Sequence, residues 1–128
     1  MSKIYVAGKW EDREEVKLLQ TELIALGHEI TCDWTIHELP EKEKYAIEDV
    51  EGVKACDGLI ALMIYDYQYK GSIAEIGMAI ALDKPVLVIG AMFDSSIFAN
   101  HPLVFIYYEI GNFEKIQMFL KMLETKNE

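Results

Sequence analysis

One carboxylate stands out in the stretch KGSIAEIGMAIALDKPVLVIG, residues 70–90. Glu75 follows Gly71 and Ser72 closely, and its neighbours in the predicted helix 72–83 are apolar or small. Unpaired backbone N–H groups and the helix dipole favour an anion in the first turn, so we expect Glu75 to be ionised near neutral pH. A positioned carboxylate can be a nucleophile towards an electrophilic sugar carbon. A Glu that merely complements the helix dipole is the alternative, and position alone favours it.

The turn before Glu75 makes a binding site more plausible. Gly71 permits unusual backbone angles and close approach of a ligand. Ser72 can bind a ligand hydroxyl or phosphate, although an ordinary helix N-cap would explain it equally well. Gly77 costs about 1 kcal/mol in a helix relative to Ala, and we expect close packing of helix on strand to be its reason.

A second acid, Asp49, falls inside a predicted helix over residues 41–55. If Val50 and Val53 face the sheet, Asp49 lies at the edge of that face. From the residues alone, a solvated helix acid is the better interpretation.

Two aromatic residues, Tyr5 and Trp10, flank the turn AGKW (7–10). They could stack on a flat ligand, although Tyr5 could equally be a core residue. The turn has no G-x-G-x-x-G pattern, so a dinucleotide fingerprint is absent.

Other familiar chemistries lack their sequence patterns. The histidines have no H-x-x-x-H spacing and the cysteines have neither metal-ligand spacing nor a disulfide framework, so we expect no metal site. The serines lack a G-x-S-x-G elbow. The residues considered are His28, His37, His101, Cys32, Cys56, Ser72, Ser95 and Ser96.

The elements that must position these residues alternate along the chain. Apolar runs and helical periodicity predict strands over 3–8, 28–34, 58–65, 84–90 and 103–108, and helices over 10–27, 41–55, 72–83 and 112–124. This alternation implies a parallel sheet with helices on both faces. The runs GLIALMIY and KPVLVIG should be central because they are apolar throughout.

We therefore predict an α/β fold, a flavodoxin- or Rossmann-like three-layer sandwich with a five-stranded parallel sheet of order 2-1-3-4-5. Ligands in such sheets bind beyond the carboxyl ends of the strands, where the order reverses. That point lies between the first and third strands, so the loops 7–10 and 66–72 should bring Glu75 to the rim of a pocket.

Composition limits the broad class of protein. The 128 residues, 52% hydrophobic, fit one domain over 1–128. A formal net charge of −10 would repel a nucleic acid polymer. No run of about 18 apolar residues predicts a membrane span. The start MSKIYVAGKW lacks a signal-peptide pattern, and the sparse cysteines suit a reducing compartment, so we expect a cytoplasmic protein.

Three segments resemble one family over nearly the whole chain. KIYVAG, EDVEGVKACDGLIAL and GSIAEIGMAIALDKPV resemble the nucleoside 2-deoxyribosyltransferase superfamily, which includes the 2′-deoxynucleoside 5′-phosphate N-hydrolases. The most specific part is the run G-[ST]-x-x-E-x-G-x-A-x-A-L-x-K-P-V. The resemblance implies cleavage of an N-glycosidic bond, a homodimer, and no cofactor, because a carboxylate carries the covalent step.

The resemblance also implies catalytic roles. Glu75 matches the nucleophile that attacks the anomeric carbon and forms a glycosyl-enzyme. Asp49 matches the acid that orients this nucleophile and supports protonation of the leaving base. Tyr5 matches the strand-one tyrosine near the nucleophile.

Substrate-binding roles follow in the same way. Gly8 and Trp10 match the loop that lines the base pocket, and Gly71 and Ser72 match the turn that holds the sugar end. Asn100 matches loosely an Asn that transferases borrow from a neighbouring subunit.

The chain departs from the family pattern six residues before the nucleophile. Transferases often carry a base-reading Asp there, and phosphate-preferring hydrolases can carry a Ser. This chain has Tyr69, with Asp66 three residues earlier. The base and the phosphate preference therefore stay open, although Lys70 could contact a 5′-phosphate.

The expected function is cleavage of a (2′-deoxy)nucleoside or its 5′-monophosphate, with the sugar passed from Glu75 to water or to another base. One alternative keeps the chemistry and changes the substrate to NAD or a cytokinin-type nucleotide. Another is a nucleotide-sensing module that binds without turnover.

Overall fold

The structure is a computed structural model and describes residues 1–37, 41–65, 68–90, 93–109 and 113–126. The strands among these residues are β1 Lys3–Ala7, β2 Glu29–Ile30, β3 Gly58–Leu62, β4 Val86–Ile89 and β5 Val104–Tyr107. The α-helices are α1 Arg13–Ala25, α2 Lys42–Ala55, α3 Lys70–Ala81 and α4 Phe113–Lys126. Short 3-10 turns cover Trp10–Asp12, Trp34–Ile36 and Ile97–Asn100.

The strands form one parallel sheet of order β2-β1-β3-β4-β5, as the sequence predicted. The strands β3 and β4 are buried along their whole length, which explains why their sequences are continuously apolar. The order reverses between β1 and β3, so the carboxyl end of β1 is the expected ligand-binding edge.

Helices cover both faces of the sheet. Ile4 pairs with Gly58 in register, and these two residues share a face. A Cβ at Gly58 would lie 2.7 Å from Leu123, so α4 packs closely on that face. On the opposite face, Tyr5 lies 3.1 Å from the Cβ position of Gly52 in α2. The predicted three-layer sandwich is therefore confirmed.

The second strand is much shorter than predicted. Only Glu29 and Ile30 pair with β1, because the chain then turns into the 3-10 segment. Asp33 caps this segment by accepting a hydrogen bond from the backbone N–H of Thr35 at 3.2 Å. Trp34 is buried, and its Nε1–H donates to the carbonyl of Val6 at 2.6 Å. The HEITCDW run therefore carries a tryptophan anchor rather than a long strand.

The start of α3 also differs from the prediction. The helix begins at Lys70 with Tyr69 at the N-cap position, so Ser72 does not cap it. Glu75 consequently lies in the second turn rather than the first. Gly77 is exposed, and a Cβ there would meet nothing within 4 Å among the described residues. Helix-on-strand packing is therefore not the reason for this glycine.

The helices of the described residues are amphipathic elements of a folded domain. None of them has the length and apolar character needed to span a membrane.

Candidate active site

A cleft of about 520 Å³ lies beside the carboxyl end of β1. Gly8 and Trp10 follow β1 directly, while Asp49 comes from α2 and both Gly71 and Glu75 come from α3. The remaining lining residues are Trp34, His37 and Tyr45. Two acids and several aromatic side chains thus share one concave site, a combination typical of small-molecule pockets.

The centre of the cleft is a hydrogen-bonded pair. The hydroxyl of Tyr5, fully buried in β1, donates to Oε2 of Glu75. Burial raises the pKa of Glu75 to about 7, the hydrogen bond from Tyr5 opposes this rise, and the charge of Asp49 adds to it. The expectation of an ordinary ionised Glu is therefore corrected, because the side chain is largely desolvated and sits one turn further from the helix start.

The same environment keeps the tyrosine protonated. Burial, followed by the charge of Glu75, raises the pKa of the Tyr5 hydroxyl far above its usual range. Tyr5 is thus a fixed hydrogen-bond donor to the carboxylate at any ordinary pH.

Asp49 is half-buried and lines the cleft, so it is not the freely solvated helix acid that its position alone favoured. Its Oδ1 accepts a hydrogen bond from the thiol of Cys32 at 3.4 Å and lies 3.8 Å from Nδ1 of His37. Burial raises the pKa of Asp49, while Cys32 and His37 oppose the rise. A raised pKa favours the protonated form of the carboxyl, which is the form a general acid requires.

The sequence analysis did not identify a stacked pair at the mouth of the cleft. The rings of His37 and Tyr45 lie 4.0 Å apart at an interplanar angle of 8°. Nε2 of His37 contacts Oε2 of Glu48 at 3.1 Å. His37 was tested only for local H-x-x-x-H spacing, whereas its partners lie on α2, so no local pattern could reveal the pair.

The two glycines of the cleft serve different purposes. A Cβ at Gly8 would lie 2.7 Å from Val16, so packing against α1 requires this glycine. Among the described residues, no atom lies within 4 Å of a Cβ placed at Gly71. The described glycines with positive φ angles are Gly27 and Gly90. Gly71 is therefore helical rather than unusual in its backbone, and it leaves space open towards the cleft.

Trp10 presents a half-exposed ring to the cleft. The guanidinium of Arg13 lies 4.5 Å from the centre of this ring and also donates to the carbonyl of Trp10 at 3.1 Å. Arg13, at the start of α1, thus holds the ring from one side and restricts its orientation.

Three predicted substrate-binding residues lie outside the cleft lining. Tyr69 is 2% exposed, and its hydroxyl donates to Asp12 at 3.3 Å and accepts from the N–H of Tyr65 at 3.0 Å. Ser72 is buried, and within the described part of the chain its Oγ has no hydrogen-bond partner. Lys70 is exposed beside Gly71 at the start of α3. The structure does not bring Tyr69 to the cleft, so it supports the loop from inside.

The two remaining predicted site residues cannot be joined to the cleft. Asn100 is exposed in the 3-10 turn after β4 and donates to the carbonyl of Ile97 at 3.3 Å. Its role across a subunit boundary stays a prediction. Asp66 lies outside the described residues.

A cluster of three possible metal ligands adjoins the cleft. Single ligand atoms of Cys32, His37 and Asp49 all lie within 4.8 Å of one another. The expectation of no metal site rested on spacing along the chain, and it did not consider residues that only the fold brings together.

A parallel sheet of this order, with a cleft lined by two acids at its switch point, defines a flavodoxin-like α/β protein. The chain belongs to the nucleoside 2-deoxyribosyltransferase family, whose model matches residues 4–116. This membership confirms the resemblance and supports an enzyme that acts on an N-glycosidic bond.

Comparison with solved structures supports the fold. The CMP N-glycosidase BcmB of Clostridium botulinum is similar over 94% of this chain and 98% of its own, with a TM-score of 0.59 and 21% sequence identity. Among curated protein sequences, none is significantly similar to this chain.

Proposed function

We propose that the chain breaks the N-glycosidic bond of a (2′-deoxy)nucleoside or its 5′-monophosphate through a glycosyl intermediate on Glu75. The observation that carries the proposal is the Tyr5–Glu75 pair inside a cleft that also contains Asp49. Family membership supports the same bond as the target.

In the first step, a carboxylate oxygen of Glu75 attacks the anomeric carbon. The bond from this carbon to the base nitrogen breaks, and its electron pair leaves with the base. Asp49 supplies the proton that neutralises the leaving base, which its raised pKa favours. Tyr5 holds Oε2 of Glu75, so the other oxygen is aimed at the sugar.

In the second step, water or another base attacks the same carbon. The ester bond to Glu75 breaks and its electron pair returns to the carboxylate, while Asp49 accepts the proton of the incoming nucleophile. The two steps together restore both acids to their starting states, and the proposed reaction needs no metal or cofactor.

The aromatic side chains of the cleft suit a nucleobase. Trp10, Trp34 and the stacked pair His37–Tyr45 give flat apolar surfaces in the same cleft as Asp49 and Glu75. The base would bind on the α2 side, with the sugar over α3.

A 5′-monophosphate is the favoured form of the substrate. Lys70 is exposed at the beginning of α3, where backbone N–H groups favour an anion. Gly71, next in the chain, lines the cleft and leaves open space. The similar BcmB structure is that of an enzyme named for CMP, which is itself a monophosphate.

A homodimer is also part of the proposal, with Asn100 near the partner's site. Exposed apolar side chains support it: Ile73 on α3 is 49% exposed, while Ile97 and Phe98 beside Asn100 are 79% and 58% exposed. Light scattering after gel filtration should give twice the mass of one chain. In the double variant Ile73→Asp/Phe98→Asp, the measured mass should fall to that of a single chain.

The decisive experiment measures free base released from a panel of nucleosides, 5′-monophosphates including CMP and a cytokinin-type nucleotide, and NAD. Each reaction is run with and without an added second base. Release without an acceptor indicates a hydrolase, and exchange only with an acceptor indicates a transferase.

Other outcomes would point to the alternatives. Release from NAD or a cytokinin-type nucleotide alone would change the substrate and keep the chemistry. Thermal stabilisation by nucleotides with no base released from any substrate would overturn the enzyme proposal in favour of a sensing module.

A further inference from the structure

We propose that Cys32, His37 and Asp49 form a binding site for one divalent transition-metal ion of the zinc type. The three residues come from different parts of the fold: the segment after β2, the end of the 3-10 turn Trp34–Ile36, and α2. Thiol, imidazole and carboxylate are all ordinary zinc ligands.

The distances suit a tetrahedral ion after a small contraction. In a zinc site with bonds of 2.0–2.3 Å, neighbouring ligand atoms lie about 3.4–3.7 Å apart. Here Sγ of Cys32 lies 3.4 Å from Oδ1 of Asp49, and Nδ1 of His37 lies 3.8 Å from the same oxygen. All three atoms lie within 4.8 Å of one another.

The orientation of His37 is a second, independent observation. Its Nε2 contacts Glu48 at 3.1 Å, which is the carboxylate–histidine arrangement that fixes the tautomer of a metal-binding imidazole. With the proton on Nε2, the lone pair of Nδ1 faces a carboxylate oxygen of Asp49. When Asp49 is ionised, these two atoms are both acceptors, and a cation between them would stabilise the arrangement.

The cluster is accessible as well as partly buried. Cys32, His37 and Glu48 line an open pocket of about 770 Å³ between α2 and the segment that follows β2, while His37 and Asp49 also line the cleft that contains Glu75. An ion held here would have three protein ligands and a fourth position for water. On binding, the Cys32 thiol releases its proton to solvent and coordinates as the thiolate, while the Asp49 carboxylate and Nδ1 of His37 donate lone pairs. Because the ion would occupy the carboxylate that serves as acid and base in the proposed reaction, ion binding and turnover exclude each other.

The alternative is a network of hydrogen bonds without an ion. The thiol of Cys32 donates to Asp49, and a second proton on His37 would satisfy the ring. This alternative requires no metal affinity, so binding measurements separate the two.

The test uses the purified full chain after treatment with a chelator. Cobalt(II) reports thiolate coordination through a near-ultraviolet charge-transfer band, and calorimetry with zinc gives stoichiometry and affinity. We expect one ion per chain, with the cobalt band abolished by zinc. Cys32→Ser and His37→Gln should each weaken zinc binding at least tenfold, and Glu48→Gln by about 10–100-fold through loss of the orienting contact.

Matched controls come from the same chain. Cys56 is the other free cysteine, and its thiol donates to the carbonyl of Val53, so Cys56→Ser should keep the band. His101→Gln should do the same, and circular dichroism checks that every variant is folded. Absence of a cobalt band in the parent, or a band that persists in folded Cys32→Ser, would overturn the site. None of these readouts depends on base release.

Discussion

The hydroxyl of Tyr5 donates a hydrogen bond to Oε2 of Glu75, joining the middle of a core strand to the carboxylate of the cleft. The tyrosine is fully buried and cannot move without disturbing β1. The geometry of this carboxylate is therefore set by the sheet, and the following predictions test what depends on it.

Tyr5→Phe should leave the fold intact and slow base release about 10–150-fold, the range that corresponds to a lost hydrogen bond to a charged group. The bond from Tyr5 lowers the pKa of Glu75, so its removal should raise that pKa further. The acid limb of kcat/KM, which reports ionisation of the nucleophile near pH 7, should move to higher pH. A pH–rate profile identical to that of the parent would contradict this role.

Glu75→Gln should abolish turnover and yet stabilise the protein above neutral pH. The pKa of Glu75 is about 7 in the folded chain and 4.5 in the reference state, so the folded state binds more protons between these values. Stability of the parent therefore falls as pH rises from about 4.5 to 7, by up to about 3 kcal/mol.

Gln carries no charge, so the stability of the variant does not fall over this pH range. In urea unfolding at pH 8, the variant should have a larger free energy of unfolding than the parent. This difference in free energy should shrink towards pH 4. Glu51→Gln, on the exposed face of α2, is the matched control and should show neither effect. If the difference in unfolding free energy between variant and parent is the same at pH 8 and at pH 4, the buried carboxylate of Glu75 does not destabilise the parent.

A 2-fluoro-sugar analogue should trap the covalent intermediate. Fluorine beside the anomeric carbon destabilises the oxocarbenium-like transition state, so hydrolysis of the adduct slows. Mass spectrometry should place the added mass on the peptide that contains Glu75. Label on any other peptide, or normal turnover without label, would indicate direct displacement by water.

Asp49→Asn should slow the chemical step by about 10²–10⁴-fold, the range typical of lost acid–base assistance. The loss should appear in kcat more than in KM, and it should be smaller for substrates whose base leaves without protonation. Asp57→Asn, whose carboxylate accepts from the backbone N–H of Lys3, is a control for a structural acid. An unchanged kcat would remove Asp49 from the mechanism.

Lys70→Ala should reduce kcat/KM for a nucleoside 5′-monophosphate and leave that for the bare nucleoside unchanged. The reason is the loss of a charge-assisted contact to phosphate at the beginning of α3. Lys54→Ala on α2 is the control for general charge. A parent enzyme that prefers the nucleoside, with Lys70→Ala neutral, would point to a transferase-like site without a phosphate contact.

The sequence predicted the sheet order because strands and helices alternate along the chain and because the runs of β3 and β4 are apolar throughout, as central strands are. The resemblance of its motifs also directed attention to Glu75, Asp49 and Tyr5. The fold joins Tyr5 to Glu75 and places Glu75 and Asp49 in one cleft, and their catalytic roles stay predictions. The sequence did not reveal the roles of Trp34, His37 and Tyr45, whose contacts join separate segments.

The ionisation of Glu75 could not be read from the sequence either. We expected Glu75 to be ionised because a helix that starts at residue 72 would place it in the first turn. The helix begins instead at Lys70, and the side chain of Glu75 is largely desolvated where it lines the cleft. Burial is a property of the assembled layers, so a helix-end argument based on one segment could not supply it.

Gly52 shows how far the constraints on this site extend beneath its lining. A Cβ on this α2 residue would lie 2.6 Å from Cys32 and 3.1 Å from the ring of Tyr5. Any larger residue would have to push the tyrosine, and with it the carboxylate, out of alignment. Directed-evolution libraries that aim to change the base specificity of the cleft should therefore keep Gly52 unchanged. Variants at this position would be lost in selection for activity, although Gly52 does not line the cleft.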